Sequence, residues 1–369
     1  MMTGRWVTAA LAAAVALTAA VAVPLAPAGG GSPAPASAVA ASSPVPLFAY
    51  FYQWFNPSSW NRGKVNYPTL GRYSSSDVRV MRKQVAWAKA AGIDGFLVSW
   101  KDTPVLDQRL TVLASVAAAA HFKLGIVYEG LDFKREPLPV ARVAHDLRFF
   151  ASHYGSDPVF RLLRPHPLVI WTGTSAYAPS EIASVTQPLQ SQLVILASDK
   201  DAASYESIAG LVEGDAYYWS SVDPLRTPGY QQRLDALSDA VHAHGGLWIS
   251  PAAPGFDARD VGGVRVVPRR HGATLRQELG AALASSPDAI GLLSWNEFSE
   301  NSDLEPSRLY GDFYLRELAA FQHSRPPQIS DFDSSGPTGS DPGPDPFLIL
   351  ALLAAVVAAS VVVIARRPR

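Results

Sequence analysis

Residues 78–100 read VRVMRKQVAWAKAAGIDGFLVSW, and this stretch holds a helix pattern followed directly by a strand pattern. Val78, Met81, Val85 and Ala88 recur at the spacing that places side chains on one face of an α-helix. The segment IDGFLVSW that follows is short, apolar and rich in β-branched and aromatic residues, as buried strands are. This step from helix to strand predicts a parallel sheet covered by helices.

The same alternation extends in both directions from this stretch and fills the region from Val45 to His323. The predicted strands are PLFAYFYQW, IDGFLVSW, KLGIVYEG, HPLVIWTG, QLVILASD, LVEGDAYYW, GLWISPAAPGF and AIGLLSWNEF. A helical pattern follows each strand and is weakest after the fifth. Eight units in roughly 280 residues match a single (β/α)8 TIM barrel, usually about 250 residues long. A doubly wound open sheet is the alternative, disfavoured because no G-x-G-x-x-G follows the first strand.

The composition limits the chemistry that this chain of 369 residues can perform. A hydrophobic fraction of 48% with 17% charged residues is enough to form a core and excludes intrinsic disorder. The net charge of −1 argues against nucleic acid as a partner, because such binding relies on clustered Lys and Arg. Since the chain has no cysteine, thiolate metal sites, disulfides and cysteine nucleophiles are excluded.

The two ends of the sequence differ from its body. Residues 1–41 combine Arg5, an apolar run and a small-residue stretch, which predicts a secretory signal peptide and linker, with an uncleaved anchor as the alternative. Residues 42–323 form the barrel domain, and residues 324–346 read as a linker rich in Pro, Gly, Ser and Asp.

Residues 347–365 form an uncharged apolar run that is long enough for a transmembrane helix, and a basic tail, 366–369, follows it. A buried core helix is the alternative for this run. The arginines of the tail favour a cytoplasmic C-terminus by the positive-inside rule. We therefore expect a single-pass protein of the cell membrane whose barrel is extracellular, on the side opposite the cytoplasm.

In a (β/α)8 barrel the functional site lies at the carboxyl ends of the strands. Those positions carry aromatic rings, carboxylates and other polar groups, an arrangement that suits a sugar ring, which packs on an aromatic face and hydrogen-bonds through its hydroxyls. The predicted substrate-binding residues are Tyr52, Trp54, Trp100, Lys101, Glu129, Trp171, Tyr218, Trp219, Asp257, Trp295 and Asn296. For each tryptophan, packing between barrel and helices is the alternative.

The strongest local signal is SWNEFSENSDLEPS, residues 294–307, at the end of the eighth strand. Glu297 and Glu300 are three residues apart, a spacing that brings two side chains of one turn within about 5–6 Å. Cleavage of a glycosidic bond with retention uses two carboxyl groups about 5–5.5 Å apart. These two glutamates are therefore the predicted catalytic pair, although paired glutamates also occur on ordinary solvated surfaces.

These residues together resemble the endo-α-mannosidase family, glycoside hydrolase family 99, and its barrel clan, over most of residues 46–320. The likeness rests on YFYQWF in the first strand, GRYSSSD, AKAAGIDGFLVSW, YEG, PAAPGFD, RRHGATLRQ and above all SWNEFSENSDLEPS. The last segment is similar to the family signature N-E-W-H-E-G-T-Q-I-E-P.

The resemblance implies endo-acting hydrolysis of α-mannosidic linkages with retention and without a metal. It implies that Glu297 acts as a base on the 2-hydroxyl of the sugar, giving a 1,2-anhydro intermediate, and that Glu300 is the acid and then the base for water. It also implies that Glu129 binds substrate or adjusts the charge of the site. Phe298 and Ser299 stand where the family has Trp and His, and Asn301, Ser302 and Asp303 replace Gly-Thr-Gln, so contacts around the leaving group are expected to differ.

Two classes of function remain open from the sequence. The first is a membrane-anchored glycoside hydrolase that cleaves an α-linked, mannose-containing poly- or oligosaccharide; transglycosylation would use the same residues. The second is a non-catalytic barrel that binds a glycan of the cell envelope. No cofactor or metal is expected, because the eight histidines show no H-E-x-x-H or similar ligand spacing. A serine hydrolase lacks its G-x-S-x-G motif.

Overall fold

A computed structural model describes residues 45–132 and 134–322. The signal segment, the linker and the apolar run 347–365 predicted from the sequence lie outside these residues. Among the residues described, no helix has the length and apolar character needed to cross a membrane.

Eight strands and eight helices alternate along the chain, as the sequence predicts. The strands are β1 (Leu47–Tyr52), β2 (Gly95–Trp100), β3 (Lys123–Glu129), β4 (Leu168–Thr172), β5 (Val194–Leu196), β6 (Gly214–Ala216), β7 (Leu247–Ala252) and β8 (Ala289–Leu292). The helices are α1 (Val78–Ala90), α2 (Pro104–Ala119), α3 (Val140–Tyr154), α4 (Pro179–Thr186), α5 (Ala202–Glu206), α6 (Tyr230–Ala243), α7 (Ala273–Ala284) and α8 (Phe313–Phe321).

Smaller elements occupy the connections. A two-stranded antiparallel hairpin, Phe256–Asp257 with Val266–Val267, follows β7. The 3-10 turns are Pro57–Asn61, Pro158–Phe160, Thr174–Ala176, Gln187–Leu189, Ala209–Leu211, Arg259–Val261 and Arg270–Gly272.

The parallel strands close into a barrel. Hydrogen-bonded neighbours run in the order β5, β4, β3, β2, β1, β8, β7, β6. The ring is completed between β5 and β6, where Ala197 N donates to Gly214 O and Ala216 N donates to Ala197 O, each over 2.9 Å. Gly214 is required at this junction, because its φ is +148° and a Cβ there would lie 2.1 Å from Leu247 O. The predicted (β/α)8 barrel is confirmed.

Local sequence explains where the helices begin and which face they bury. Asp77 caps α1 by accepting a hydrogen bond from the backbone N–H of Arg79 over 2.8 Å. Met81, Val85 and Ala88 on α1 are buried, as their spacing predicts. The fifth helix, α5, has only five residues, which agrees with its weak pattern.

The core has two layers separated by the sheet. Inside the barrel, Phe48, Tyr50, Leu97, Val127 and Ile170 form part of one buried cluster. Between the sheet and the helices, a larger cluster holds most of the aromatic side chains. Since the interior is filled, only the strand ends and the loops above them are left to form a cavity.

Candidate active site

The segment after β8 carries the two predicted catalytic glutamates and is held by a dense set of hydrogen bonds. Glu297 N donates to Ser294 Oγ over 2.8 Å, and Leu304 N donates to Trp295 O over 3.0 Å. Phe298 N donates to Asn296 O over 2.9 Å, which tightens the turn. These bonds fold residues 294–304 into a compact turn above the barrel rather than a continuation of the strand.

Asn296 fastens this turn to the end of β1. Its Oδ1 accepts a hydrogen bond from Tyr52 N over 2.8 Å, and its Nδ2 donates to Tyr52 O over 2.9 Å. Nδ2 also lies 3.3 Å from the hydroxyl oxygen of Tyr73, to which it donates. The amide thus bonds the backbone of Tyr52 on the side of β1 where the pairing with β8 has ended, and it fixes the glutamates over the barrel mouth.

Two cavities meet at Glu297 and Glu300. The first, cavity A, has a volume of about 420 Å³, and the second, cavity B, of about 190 Å³. Trp54, Glu297 and Glu300 line both cavities. The two carboxyl groups therefore stand at the junction of one groove, beside the ring of Trp54, which is the position that paired catalytic carboxyls require.

Both glutamates are buried, with exposures of 4% for Glu297 and 5% for Glu300. Burial raises the pKa of Glu297 above that of an ordinary glutamate, and the nearby ammonium of Lys64 opposes this effect. Burial also raises the pKa of Glu300, well above its usual value, and the charges of Glu297 and Glu129 add to the increase while Arg135 opposes it. The Lys64 ammonium beside Glu297 and the Glu129 carboxylate beside Glu300 both favour the negative charge of the pair on Glu297.

Polar groups of cavity B surround the Glu300 side of the groove. Glu129 at the end of β3 accepts a hydrogen bond from Thr172 Oγ1 over 2.8 Å. The hydroxyls of Tyr52 and Tyr218 are hydrogen-bonded to each other, and both residues line cavity B. Burial, with the charge of Glu300 as a further cause, raises the pKa of Tyr52 and Tyr218 well above that of free tyrosine, so both hydroxyls are neutral.

The structure thus brings six predicted site residues together around the groove. These are Tyr52, Trp54, Glu129, Tyr218, Glu297 and Glu300.

Four other predicted substrate-binding residues do not reach the groove. Trp100, Trp171, Trp295 and Asn296 are each 0% exposed. Trp100 packs on Phe150 with ring centroids 5.6 Å apart, and Trp295 packs on Phe96 at 5.3 Å. The prediction that these residues line the groove is wrong, because the three tryptophans fill the layer under the helices and Asn296 is bonded to β1.

Lys101, Trp219 and Asp257 also lie outside the lining of both cavities. Lys101 Nζ donates to Leu131 O over 3.1 Å, which holds the loop after β3. The ring of Trp219 stacks on Tyr230 at 4.6 Å. Asp257 forms an ion pair with Arg259 at 2.6 Å. These three residues lie outside the two cavities and contact other protein groups, and their contact with substrate stays a prediction.

Sequence reasoning missed the loop residues that complete the groove. In cavity A they are Phe55, Ser59, Arg62, Gly63, Lys64, Asp260, Val261 and Ser299. In cavity B they are Leu131, Arg135, Thr172, Gly173, Ser175, Ser198, Lys200, Tyr217, Ser220, Ser221 and Phe256. Most of them lie beyond the strand ends, where no periodic pattern marks them. The exceptions, which lie within the predicted strands, are Thr172, Gly173, Ser198, Tyr217 and Phe256.

Among the described residues, one group has the composition of a metal site: Asp102, His145 and Asp146. The buried carboxylate of Asp146 already pairs with Arg142 at 2.7 Å and accepts a hydrogen bond from Tyr128 Oη over 3.0 Å. A guanidinium thus fills the position that a cation would take. These residues do not line the groove, and nothing in their arrangement fits them for its chemistry.

A (β/α)8 barrel with two buried carboxyl groups at an aromatic groove over its strand ends has the architecture typical of glycosidases of this fold. No family model matches the chain. A human glycoprotein endo-alpha-1,2-mannosidase-like protein is 24% identical over 282 residues, covering 68% of this chain and 61% of its own length. The mouse protein of the same description is 22% identical over 290 residues, covering 70% and 63%. The chain thus spans about three fifths of the length of these curated relatives.

Solved structures give the same likeness. An endo-alpha-mannosidase of glycoside hydrolase family 99 from Bacteroides thetaiotaomicron, in complex with bis-tris-propane, is similar with a TM-score of 0.66 and 20% identity, covering 75% of this chain and 96% of that one. A glycoside hydrolase-like protein has a TM-score of 0.61 and 16% identity, covering 79% and 96%. The chain has the fold of these proteins, and the resemblance to family 99 predicted from its sequence is confirmed.

Proposed function

We propose that this protein is a retaining glycoside hydrolase that acts within α-linked, mannose-containing glycans. The observation that carries the proposal is that Glu297 and Glu300 stand at the junction of cavities A and B. A glycan that fills both cavities places one of its inner glycosidic bonds beside both carboxyl groups. Trp54 offers a flat apolar face at the same junction, and Tyr52, Tyr218 and Glu129 offer hydrogen-bonding groups.

In the first half of the proposed reaction, Glu297 is ionised and Glu300 is protonated. Glu297 takes the proton of the sugar 2-hydroxyl, whose oxygen attacks C1 of the same sugar. As the bond from C1 to the leaving oxygen breaks, Glu300 gives its proton to that oxygen, and a 1,2-anhydro sugar remains. The charged neighbours support this assignment, since Lys64 favours the ionised form of Glu297 and Glu129 favours the protonated form of Glu300.

In the second half, Glu300 is a carboxylate and accepts a proton from water, whose oxygen attacks C1. The bond between C1 and the 2-oxygen breaks, and Glu297 returns its proton to that oxygen. Two inversions at C1 give net retention. Both glutamates recover their starting states, so the cycle consumes only water.

The experiment incubates the full-length chain with an α-1,2-linked mannan, an α-1,6-linked mannan and an α-glucan, and measures released oligosaccharides. We expect release from a mannan and losses of roughly 10²–10⁴-fold in kcat for Glu297→Gln and for Glu300→Gln. Glu206→Gln, which changes a surface glutamate paired with His244, is the matched control. Full activity in both site variants contradicts the assignment.

The α-1,2 linkage is carried over from the relatives, which are described as endo-alpha-1,2-mannosidase-like proteins. The second candidate is a non-catalytic barrel that binds a glycan. The observation that favours it is that Phe298 and Ser299 differ from the family signature. Binding of a mannan without any released product over a long incubation supports this second function.

We further propose that the barrel works outside the cytoplasm, tethered through residues 347–365 to the cell membrane. The support is the sequence alone: a leader-like segment, 1–41, an uncharged apolar run and a basic tail. Membrane fractionation of the full chain and of a chain ending at residue 346 tests this. Equal recovery of both chains in the soluble fraction contradicts it.

A further inference from the structure

Lys64 lies in the loop between β1 and α1, on the wall of cavity A that faces the glutamates. Its ammonium donates a hydrogen bond to Ser299 Oγ over 3.1 Å. The same nitrogen stands 5.9 Å from the centre of the Trp60 ring, which is fully buried. A hydroxyl and an aromatic face therefore hold the side chain of Lys64 inside the cavity rather than in solvent.

Ser299 connects this ammonium to Glu297. The backbone N–H of Ser299 donates to Glu297 Oε1 over 2.9 Å, while its hydroxyl oxygen accepts from Lys64. One residue therefore contacts both the cation and the carboxylate. Ser299 stands where the related family signature has histidine, so this chain pairs a small hydroxyl with a lysine supplied by a different loop.

The charges around the two glutamates are distributed unequally. Lys64 is the cation that acts on Glu297, and its charge lowers the pKa of that carboxyl against the effect of burial. Arg135 is the cation that acts on Glu300, where the carboxylates of Glu297 and Glu129 have the opposite effect. Charged and titratable groups face this site from every element packed around it. They are Lys64 and Arg62 on the first loop, Tyr52 at the end of β1, Glu129 at the end of β3, Arg135 after β3, Lys200 after β5, Tyr217 and Tyr218 after β6, Asp260 in the hairpin after β7, and Glu300 and Asp303 after β8.

We propose that Lys64 is a positioning residue for the reaction: through Ser299 it orients Glu297 and keeps it the ionised member of the pair. This inference rests on the proposed function. Lys64 touches neither reacting atom in the scheme and acts only through the base. Lys64 is the cation whose charge lowers the pKa of Glu297, so without it burial and the charge of Asp303 act on this carboxyl with less opposition, and the base holds its proton at a higher pH.

The test uses the full-length chain with Lys64→Met, Lys64→Arg and, as matched control, Arg62→Met, which removes a cation of the same loop and cavity. The first readout needs no substrate: NMR titration of ¹³C-labelled glutamate side chains, with Glu297→Gln and Glu300→Gln for assignment. We expect Glu297 to titrate at a higher pH in Lys64→Met. We expect it to stay near the parent position in Lys64→Arg and in Arg62→Met.

The second readout is kcat/KM on the mannan that the parent protein cleaves, followed against pH. The acid limb, which reports ionisation of the base, moves to higher pH in Lys64→Met, with a loss on the order of tenfold on the acid side. Lys64→Arg restores most of the loss. Thermal unfolding of each variant shows whether it is folded. Lys64→Arg keeps the positive charge, so a change seen only in Lys64→Met is due to the loss of charge.

An unchanged titration of Glu297 in folded Lys64→Met overturns the inference. So does a rise in KM alone with an unmoved acid limb, because that result makes Lys64 a substrate-binding group. If the parent protein releases no product, the proposed function fails. The NMR titration needs no substrate, so it still decides whether Lys64 keeps Glu297 ionised.

Discussion

Replacing Asn296 with alanine tests whether the active-site turn depends on its attachment to β1. Asn296 exchanges two hydrogen bonds with the backbone of Tyr52, accepting from the N–H over 2.8 Å and donating to the oxygen over 2.9 Å. It is the residue directly before Glu297, so its loss frees the catalytic turn as well as the end of the strand. We expect the variant to be less stable and less active.

The size of the effect follows from burial. Asn296 is 0% exposed and Tyr52 is 5% exposed, so alanine leaves a donor and an acceptor of the backbone without partners where water does not replace them. Each such group costs about 1–3 kcal/mol, and the two together about 2–6 kcal/mol. Because a domain has a total stability of about 5–15 kcal/mol, this is a large fraction of it.

Urea unfolding at equilibrium measures the change, and product release from the mannan measures activity. Asn61→Ala is the control, because Asn61 is exposed and accepts only a surface bond from Arg72. An Asn296→Ala variant as stable as Asn61→Ala would refute the reasoning.

Three further predictions follow from the same structure. Glu129→Gln removes a charge that raises the pKa of Glu300, so the alkaline limb of kcat/KM moves to lower pH; an unmoved limb contradicts this. Burial raises the pKa of Glu278, so the folded protein keeps a proton that the unfolded chain releases, and the stability of the parent falls as the pH rises above the ordinary pKa of glutamate. Urea unfolding should therefore show Glu278→Gln gaining stability relative to the parent as the pH rises above that value, and an unchanged difference counts against this. Trp100 is a core residue, so Trp100→Ala should lower the free energy of unfolding by about 3–5 kcal/mol. Trp54→Ala should mainly raise KM for the mannan. A raised KM in Trp100→Ala with a loss of stability in Trp54→Ala would contradict both assignments.

The barrel could be predicted because its information is local. Each strand is a short apolar run, and each helix that follows repeats its apolar residues at the helical spacing. The closure of the ring is a different matter. It depends on the pairing of β1 with β8, where Leu47 lies opposite Ile290; these residues are distant in the sequence and meet through a backbone register that no side-chain pattern encodes.

The sequence does contain a pattern that predicts the buried positions of Trp100 and Trp171. Successive residues of a strand face opposite sides of the sheet. In β2, Leu97 faces the barrel interior, while Phe96 and Val98 pack under the helices, so Trp100 must also face the helices. In β4, Ile170 faces the interior and Trp171 does not. The alternation of side chains between the two faces of the sheet therefore distinguishes core aromatic residues from groove residues. Position at the end of a strand does not distinguish them.

The loop residues of the groove had no such signal. Lys64 and Arg135 belong to segments without regular spacing, and each reaches its glutamate only because the barrel brings the loops after β1, β3 and β8 to the same mouth. A single sequence places such residues near a site only through its fold. The sequence shows that Lys64 and Arg135 are cations, but it does not show which of the two glutamates each cation lies beside.

That assignment is what gives two similar side chains opposite roles. Glu297 and Glu300 lie on one turn, are equally buried and line the same cavities, so burial raises the pKa of both and does not distinguish base from acid. The difference comes from their other neighbours. The charge of Lys64 lowers the pKa of Glu297 and that of Asp303 raises it, whereas Arg135 lowers the pKa of Glu300 and Glu129 raises it. Because one proton on the pair is favoured by their mutual repulsion, this asymmetry decides which carboxyl holds it. A reaction that needs one charged and one neutral carboxyl at the same moment therefore depends on loops outside the signature as much as on the signature itself.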